Sequence, residues 1–350
     1  MAKIELSLLR TKFRGSLLGV LTGDCLGSPY ENNNLLTSGE KVVLQKFLDK
    51  LEGPVFKAPV IQYTDDSAMT RSIAQSLIEK RSLVLEDIAK KFVKNYYQEP
   101  NRGYGPSVIN VFHKLRGNKF SDILTPAKEQ FSGEGSLGNG GAMRVAPIAL
   151  FYHNDYDQLV KATRLVTAIT HTHKLGIDGA ILQAIAIQQS LLSDPEEELD
   201  VIKFVDDLIG KMDIIEENDE GLDFVDPQTF KMQLVAIKNL LKEEGAHEVK
   251  IVEKLGHDVT AFGSVPTAIF CFLRAQKSIE GIRSDNPFRR AIQYAISLGG
   301  DADTIAAMTG ALAGAFYGDA KLNSALLQHL EASTEFQSLA DKLYEISTNK

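Results

Sequence analysis

The sequence has little cysteine, with only Cys25 and Cys271 in 350 residues. Two cysteines cannot build a framework of several disulfides, and they cannot supply a zinc site made of cysteines. Both lie in apolar stretches, where a free thiol is usually buried, so we expect two buried free thiols.

Long hydrophobic runs are also missing. No segment approaches the roughly 18 apolar residues that a membrane span needs. The N-terminal stretch MAKIELSLLRTKFRG lacks the apolar core of a signal peptide and carries Glu5 among basic residues. We therefore expect a soluble intracellular protein with no membrane partner.

The sequence also lacks an excess of positive charge. Lys and Arg total 38 against 46 Asp and Glu, which gives a formal net charge of -8. A protein that grips DNA or RNA neutralises phosphates with Lys and Arg, so direct nucleic-acid binding is not expected. The 44% hydrophobic and 24% charged residues indicate a globular chain rather than a disordered one.

Alternating strand patterns are scarce, and helical spacing dominates. The better strand candidates, residues 42–47 (VVLQKF) and 58–63 (APVIQY), are not convincing. Apolar residues recur at helical spacing over 65–80 and 178–193. No repeat or low-complexity linker divides the chain, so we predict one all-α domain over residues 1–350.

Small residues recur at every fourth position in two segments, near Gly19 and near Gly310. Glycine inside a helix costs up to about 1 kcal/mol relative to alanine. Residues four apart share one helix face, so small ones let a second backbone approach closely. We predict two central, tightly packed helices.

The segment 194–227 is rich in acidic residues. One helical piece is expected around residues 201–212, followed by a polar loop. Since runs of charge usually face water, we interpret this segment as a solvated surface insertion.

Carboxylates cluster at element boundaries in three places. Asp24 and Glu31 flank the point where a glycine-rich helix meets a Gly-Ser-Pro breaker, and the other two clusters each precede a core helix. Helix capping explains Thr64-Asp65-Asp66 in part, because acids in a first turn complement the helix dipole. It explains Asp303-Thr304 less well, since the preceding Gly299-Gly300 allows a sharp bend or a close approach to a ligand.

Two of these clusters together offer four aspartates and two threonines, all of them hard oxygen donors. Mg²⁺ prefers such ligands over sulfur or imidazole. Two ions about 3.5–4 Å apart can share one bridging carboxylate. We therefore predict a site for two Mg²⁺ ions at these residues: Thr64, Asp65, Asp66, Asp301, Asp303 and Thr304.

A glycine-rich run spans residues 131–144 and contains G-x-G-x-x-G at Gly133, Gly135 and Gly138. A dinucleotide fold needs an apolar strand before that motif, and LTPAKEQFS is not one. Exposed backbone N–H groups that wrap a phosphate are the better interpretation, although a plain surface loop stays open. The turn at residues 101–106 can act in the same way.

The pair His171 and His173 is the only tight group of histidines. Residues two apart do not share a helix face, and no cysteine accompanies the pair, so a zinc site is not expected. A histidine that contacts a ligand phosphate or ribose, and a histidine at a helix start with no ligand, both remain open.

These motifs, in this order, resemble the ADP-ribosylglycohydrolase family over nearly the whole chain. The matching stretches are residues 14–31, 63–77, 135–150, 170–186 and 298–315. Within the family they are most similar to the type-three branch. The resemblance implies an all-α fold, two Mg²⁺ ions and release of ADP-ribose from modified serine, poly(ADP-ribose) and O-acetyl-ADP-ribose. It also implies a monomer of the nucleus and cytoplasm, with the mitochondrial matrix as a further compartment.

The same resemblance assigns roles to single residues. It makes Glu31 a mobile catalytic glutamate and the six oxygen donors above the metal ligands. Phe131 would lie beside the adenine, and Leu137 stands where type-three enzymes carry a tyrosine. The other residues that it assigns to ADP-ribose binding are Gly103, Gly105, Ser136, Gly138, Asn139 and His171.

Other functions fit less well. A terpene synthase needs D-D-x-x-D, but Met69 occupies the last position. A dehalogenase-type phosphatase uses D-x-D-T, but that motif needs a strand before it and a long domain after Thr304, where only 46 residues follow. An arginine-linked ADP-ribose hydrolase and an inactive ADP-ribose-binding module remain as alternatives.

Overall fold

Helices make up the regular structure of this protein. The computed structural model describes residues 6–54, 56–57, 60–217, 229–243 and 245–348. These residues contain seventeen α-helices and no β-strand, only three isolated bridges, so the prediction of an all-α fold is confirmed. The helices, α1 to α17 in chain order, are Leu6–Gly27, Ser38–Glu52, Asp65–Lys80, Leu85–Gln98, Pro106–Gly117, Thr125–Lys128, Ala146–Phe151, Tyr156–Thr167, Lys174–Leu192, Val201–Glu217, Phe230–Lys242, Glu248–Leu255, Ala261–Arg274, Pro287–Ser297, Ala302–Tyr317, Ser324–Leu327 and Ser333–Thr348.

Helices α1 and α15 form the centre of the fold and pack backbone against backbone. A Cβ atom at Gly19 would overlap the carbonyl oxygen of Gly310, and one at Gly314 would overlap that of Gly15. At the other end, a Cβ at Gly27 would lie 2.5 Å from the Cα of Asp303. The predicted close pairing is confirmed, and it brings the C-terminal end of α1 against the start of α15.

Helix α9 is the longest apolar helix beside this pair. Its length and composition would allow it to cross a membrane, but 83% of its most apolar window is buried inside the fold. It packs against α8, α13 and α15, so its apolar surface faces other helices. We interpret α9 as a core helix, whose apolar character follows from being covered on all sides.

The two cysteines are free and buried, as predicted. Cys25 lies in α1 and Cys271 in α13. Burial raises the pKa of both thiols, so they remain protonated and inert inside the core.

One strand candidate is wrong, and the other lies partly outside the described residues. Residues 42–47 belong to α2, which buries Leu44, Leu48 and Leu51 at helical spacing. A capping box between Thr37 and Glu40 starts this helix, which is a local signal for a helix rather than a strand. In the second candidate, Ile61 forms an isolated parallel bridge with Leu330, and residues 58 and 59 are not described.

Helix α10 corrects the interpretation of the acidic segment as a fully solvated insertion. It extends beyond the expected end at 212, as far as Glu217, and it buries Val205, Leu208 and Met212. Apolar residues three and four apart were hidden among many acids, and they form one buried face. The preceding loop, 194–200, is largely exposed, whereas residues 218–227 lie outside the described residues.

Candidate functional site

All fifteen residues that the sequence singled out line one cavity of about 710 Å³. Its walls come from the starts of α3 and α15, the turn before α5, the glycine-rich run and the turn before α9. The lining includes Glu31, Thr64, Asp65, Asp66, Gly103, Gly105, Phe131, Ser136, Leu137, Gly138, Asn139, His171, Asp301, Asp303 and Thr304.

The first acidic cluster is held by capping and by a buried carboxylate of α1. Thr64 is the N-cap of α3, and its Oγ1 lies 3.1 Å from Oδ2 of Asp66. Asp24 is fully buried and accepts backbone N–H bonds from Thr64 at 2.9 Å and from Ser67 at 3.0 Å. Asp24 therefore fixes the turn that carries Asp65 and Asp66.

Asp24 is one residue that the sequence analysis did not include among the site residues, and Arg144, Val259 and Thr260 also line the cavity outside the predicted set. Asp24 was noted in its motif, but the sequence gave no sign of the backbone groups of α3 that it contacts. The signal that could have found it is an acid at an otherwise apolar helix end, Gly23-Asp24-Cys25-Leu26, where a buried charge needs donors or a cation.

The carboxylates form two groups that could hold a metal ion. Ligand oxygens of Asp24, Asp66 and Asp303 lie within 4.8 Å of one another, and so do those of Glu31, Asp301 and Asp303. Asp303 belongs to both groups. Oδ1 of Asp66 is buried and has no hydrogen-bond partner among the described residues, so a cation would complete its environment.

Burial and mutual repulsion raise the pKa of these carboxyl groups. Burial, then Asp301 and Asp24, raise the pKa of Asp303 to about 10. Burial, Asp24 and Asp301 raise the pKa of Asp65 to about 8, and burial with Asp24 raises that of Asp66. Carboxylates crowded in this way either keep protons or bind a cation. The donor set, oxygen only, fits a hard metal ion.

The second acidic cluster depends on the two glycines before it. Gly299 and Gly300 have φ values of 67° and 68°, and a Cβ at either position would overlap a backbone carbonyl of Asn34 or His257. The close approach that these two glycines allow is therefore to the backbone of the protein itself and not to a ligand. Asp301 occupies the N-cap position of α15 without capping it, and its Oδ2 accepts a hydrogen bond from Nδ2 of Asn139 at 2.5 Å. Capping does not explain this carboxylate.

Glu31 lies at the mouth of the cavity, directly after the 3-10 turn Ser28–Tyr30, and its side chain is exposed. Burial of part of the carboxyl group and the nearby Asp301 raise its pKa. The segment that follows is tied to the second cluster, because Asn32 N–H donates to Gly300 O at 2.8 Å and Gly300 N–H donates to Asn33 O at 2.7 Å.

The glycine-rich run forms another wall of the cavity and touches the second acidic cluster through Asn139. Phe131 is 60% exposed and Leu137 is 39% exposed at the rim, so both offer apolar surface. The N–H of Gly138 donates to Ser136 Oγ at 3.3 Å, and the N–H of Asn139 donates to Val259 O at 2.9 Å. These two N–H groups already have protein partners, which limits the expected wrapping of a phosphate to other parts of the run.

Both histidines reach the cavity, and neither belongs to a group that could hold a metal ion among the described residues. His173 is the N-cap of α9, and its Nδ1 accepts from Leu175 N–H at 3.2 Å. His171 is 8% exposed, and its Nδ1 lies 2.7 Å from Thr170 Oγ1. Gly103, which also lines the cavity, has a φ of 87° and lies beside Asp65, and a side chain at Gly105 would meet open space.

A family model described as ADP-ribosylglycohydrolase matches residues 6–350 of this chain. The chain belongs to the ADP-ribosylglycohydrolase family. It is thus an ADP-ribosylhydrolase, a glycosidase-type hydrolase, and the family explains why acids and a glycine-rich wall share one cavity.

Two relatives and one solved structure support the membership. "ADP-ribosylhydrolase ARH3" of Gallus gallus is 40% identical over 349 residues, covering 96% of this chain and 93% of the relative. The protein of the same name from Homo sapiens is 40% identical over 344 residues, covering 96% and 93%. A structure described as "ADP-ribosylglycohydrolase-related protein complex" covers 97% of this chain and 99% of its own at a TM-score of 0.63 and 22% identity, which shows the shared fold.

Proposed function

We propose that this protein uses two Mg²⁺ ions to hydrolyse O-glycosidic bonds of ADP-ribose. The substrates are ADP-ribosylated serine in proteins first, then poly(ADP-ribose) and O-acetyl-ADP-ribose. The observation that carries the proposal is the single cavity that joins the crowded carboxylates to an apolar and glycine-rich wall. Similarity over 96% of the chain to relatives named ADP-ribosylhydrolase ARH3 supports the hydrolase activity, and the choice of linkage follows from the resemblance to the type-three branch.

The residues that would hold the metal are the six predicted oxygen donors, with Asp24 as a positioning residue behind them. Two observations fit metal binding: Oδ1 of Asp66 is buried without a hydrogen-bond partner among the described residues, and Asp303 belongs to both acidic groups. When bound, Mg²⁺ would supply positive charge that orients ribose hydroxyls and lowers the pKa of a water.

Glu31 would handle a proton at the scissile bond. Cleavage of an anomeric C–O bond passes through an oxocarbenium-like transition state and needs a proton on the leaving oxygen. Partial burial and the nearby Asp301 raise the pKa of Glu31, which favours the protonated carboxyl group that this step needs. Its place at the mouth lets it reach a bond whose ADP-ribose side lies inside.

The other wall would hold the ADP-ribose. A volume of about 710 Å³ is within the usual range for a ligand of this size. Phe131 and Leu137 would cover the adenine, whereas Gly103 and Gly105 let a diphosphate or ribose approach the backbone closely. His171 would contact the ligand from the floor.

The experiment is a side-by-side assay with serine-linked and arginine-linked ADP-ribosyl peptides in Mg²⁺ buffer, read by mass. We expect fast release from serine and poor release from arginine, whose guanidine leaving group needs a different pocket. Faster release from arginine would favour the alternative linkage. Tight ADP-ribose binding without any release would favour an inactive binding module.

The oligomeric state and the compartment stay predictions. We propose a monomer of the nucleus and cytoplasm, with the mitochondrial matrix as a further compartment, from the family resemblance alone. Size-exclusion chromatography with light scattering, and imaging of the tagged chain in cells, test these two points.

A further inference from the structure

Arg144 is a buried cation near the first acidic cluster, where burial lowers its pKa to about 9 and the nearby Asp65 partly offsets that effect. It is 1% exposed, and no carboxylate of the described residues lies within ion-pair distance of its guanidinium. Its Nη2 donates to Thr170 Oγ1 at 2.7 Å and to Val166 O at 3.3 Å, and its guanidinium lies 4.8 Å from the ring centroid of Phe92. Burying a charge lowers the stability of the fold unless the charge is well hydrogen-bonded, so we expect the hydrogen bonds of Arg144 to serve the function of the site.

The hydrogen bond to Thr170 fixes where the hydroxyl proton goes. A guanidinium carries only donors, so Thr170 Oγ1 must accept from Arg144. Thr170 is fully buried, and the remaining neighbour of its hydroxyl is Nδ1 of His171 at 2.7 Å. The hydroxyl hydrogen therefore points to Nδ1, which makes Nδ1 an acceptor.

An acceptor at Nδ1 decides the state of the other ring nitrogen. A neutral imidazole carries one N–H, which must then be on Nε2. Burial and the neighbouring Arg144 lower the pKa of His171 to about 3, so the ring is neutral at physiological pH. In the described part of the chain, Nε2 has no hydrogen-bond partner, and the ring lines the cavity.

Two glycines of the glycine-rich run leave room for this ring. A Cβ at Gly138 would lie 3.3 Å from Nε2 of His171, and one at Gly140 would lie 2.9 Å from it. The ring thus sits against the backbone of the glycine-rich run, where a side chain would displace it.

We propose that Arg144 and Thr170 are positioning residues that hold His171 as the Nε2–H tautomer, so that it donates a hydrogen bond to an oxygen of bound ADP-ribose. This inference rests on the proposed function for the identity of the ligand. His173 provides a parallel, since its Nδ1 is also an acceptor, in this case from the backbone N–H of Leu175, which leaves the N–H of a neutral ring on Nε2. Lysine at 144 would not reproduce the arrangement, because a single ammonium cannot match the guanidinium fork.

The tautomer can be measured without ligand or turnover. Long-range ¹H–¹⁵N spectra of the full chain with labelled histidine distinguish the two neutral tautomers and the imidazolium, and loss of the signal in His171→Asn assigns the resonance. We expect protonated Nε2 and unprotonated Nδ1 at neutral pH. A proton on Nδ1, or an imidazolium, overturns the proposal even if the protein proves to be an active hydrolase.

A matched pair of variants then tests whether the hydroxyl of Thr170 sets the tautomer of His171. Thr170→Val keeps the shape and removes the hydroxyl, whereas Thr170→Ser keeps the hydroxyl. In calorimetric titration, the affinity of Thr170→Val for ADP-ribose should be about three- to ten-fold weaker, the scale of one lost hydrogen bond. Its spectrum should show a mixture of the two His171 tautomers. Thr170→Ser should restore both the Nε2–H signal and most of the affinity.

Two other results would overturn the proposal. An unchanged tautomer and affinity in Thr170→Val, or an equal loss of affinity in Thr170→Ser, would show that Thr170 only fills space in the core. If Thr170→Val does not fold, the spectrum of the unmodified protein decides alone. A chain that shows the expected tautomer but binds no ADP-ribose would refute the proposed function and the ligand role while leaving the ring chemistry intact.

Discussion

At the scale of single residues, the site concentrates negative charge where a folded protein usually avoids it. Asp24, Asp66 and Asp303 bring carboxylate oxygens within 4.8 Å of one another in a buried setting. Without a cation, such groups oppose folding unless they are protonated. A bound metal ion would offset this repulsion, which explains why the carboxylates lie so close together.

The first prediction is a pH dependence of stability in the metal-free protein. Asp65 and Asp303 have folded-state pKa values raised to about 8 and about 10, against about 4 in an unfolded chain. For such groups, stability is full below pH 4 and is lost as pH rises through the folded values. In chelator, the free energy of unfolding should fall between pH 5 and 9, by up to about 1.4 kcal/mol per pH unit for each group.

Urea unfolding monitored by circular dichroism at several pH values measures this slope. Asp303→Asn should reduce the slope, whereas Asp157→Asn, at an exposed acid of α8, should leave it unchanged. A metal-free protein whose stability rises over the same pH interval would contradict the account of the cluster.

The second prediction concerns Leu137, which offers apolar area at the rim but no ring and no hydroxyl. Leu137→Tyr should tighten ADP-ribose binding by roughly 0.5–1.5 kcal/mol, the usual scale of an aromatic pair. Calorimetry with ADP-ribose measures the change. An unchanged affinity would show that this side chain lies away from the adenosine.

At the scale of elements, the close pairing of α1 with α15 does most of the positioning. The third prediction is that Gly19→Ala destabilises the protein by about 3 kcal/mol, the upper end of the usual range for overpacking, because the new Cβ meets the backbone of Gly310 and not a movable side chain. The control is Gly210→Ala, in the exposed interior of α10 with no atom within 4 Å. It should stabilise by about 0.5–1 kcal/mol. Equal effects of the two changes in thermal unfolding would refute the close packing.

The fourth prediction concerns the segment that carries Glu31. Helix α1 ends at Gly27, and Pro29 lies in the 3-10 turn that follows, so we expect this short segment to change conformation and let Glu31 act as a gate. The backbone bonds of Asn32 and Asn33 with Gly300 place the hinge before residue 32. Glu31→Gln should lower the turnover number far more than it weakens ADP-ribose affinity. Equal losses would indicate a binding role, and crystals with and without ADP-ribose that show one fixed Glu31 would exclude the gate.

Periodicity predicted some elements well and others poorly, for physical reasons. Helix α3 spans residues 65–80, as its spacing and its Thr64 cap indicated. Helix α10 was partly missed because its charges obscured a buried apolar face, and residues 42–47 combined β-branched valines with a helical environment. Local propensity is a weak prior that tertiary packing overrides.

At the scale of the whole molecule, the site exists only because distant parts of the chain meet. Residues 24–31 lie at the end of the first helix and residues 301–304 at the start of the fifteenth. The spacing of glycines predicted that both helices were central, but it could not say that they pair antiparallel. Residue types alone suggested a cation site, and the resemblance to the family joined its halves. Asp24 stayed hidden because its role depends on burial and on the backbone of another element.

The most direct test of the central claim is release of ADP-ribose from a serine-modified peptide, followed by mass spectrometry. The account predicts no release in chelator, full recovery on adding Mg²⁺, and no release from Asp66→Asn although its helical circular dichroism is retained. Asp157→Asn serves as the matched control and should behave as the unmodified protein. Full activity of Asp66→Asn in chelator-treated, Mg²⁺-restored buffer would contradict the account.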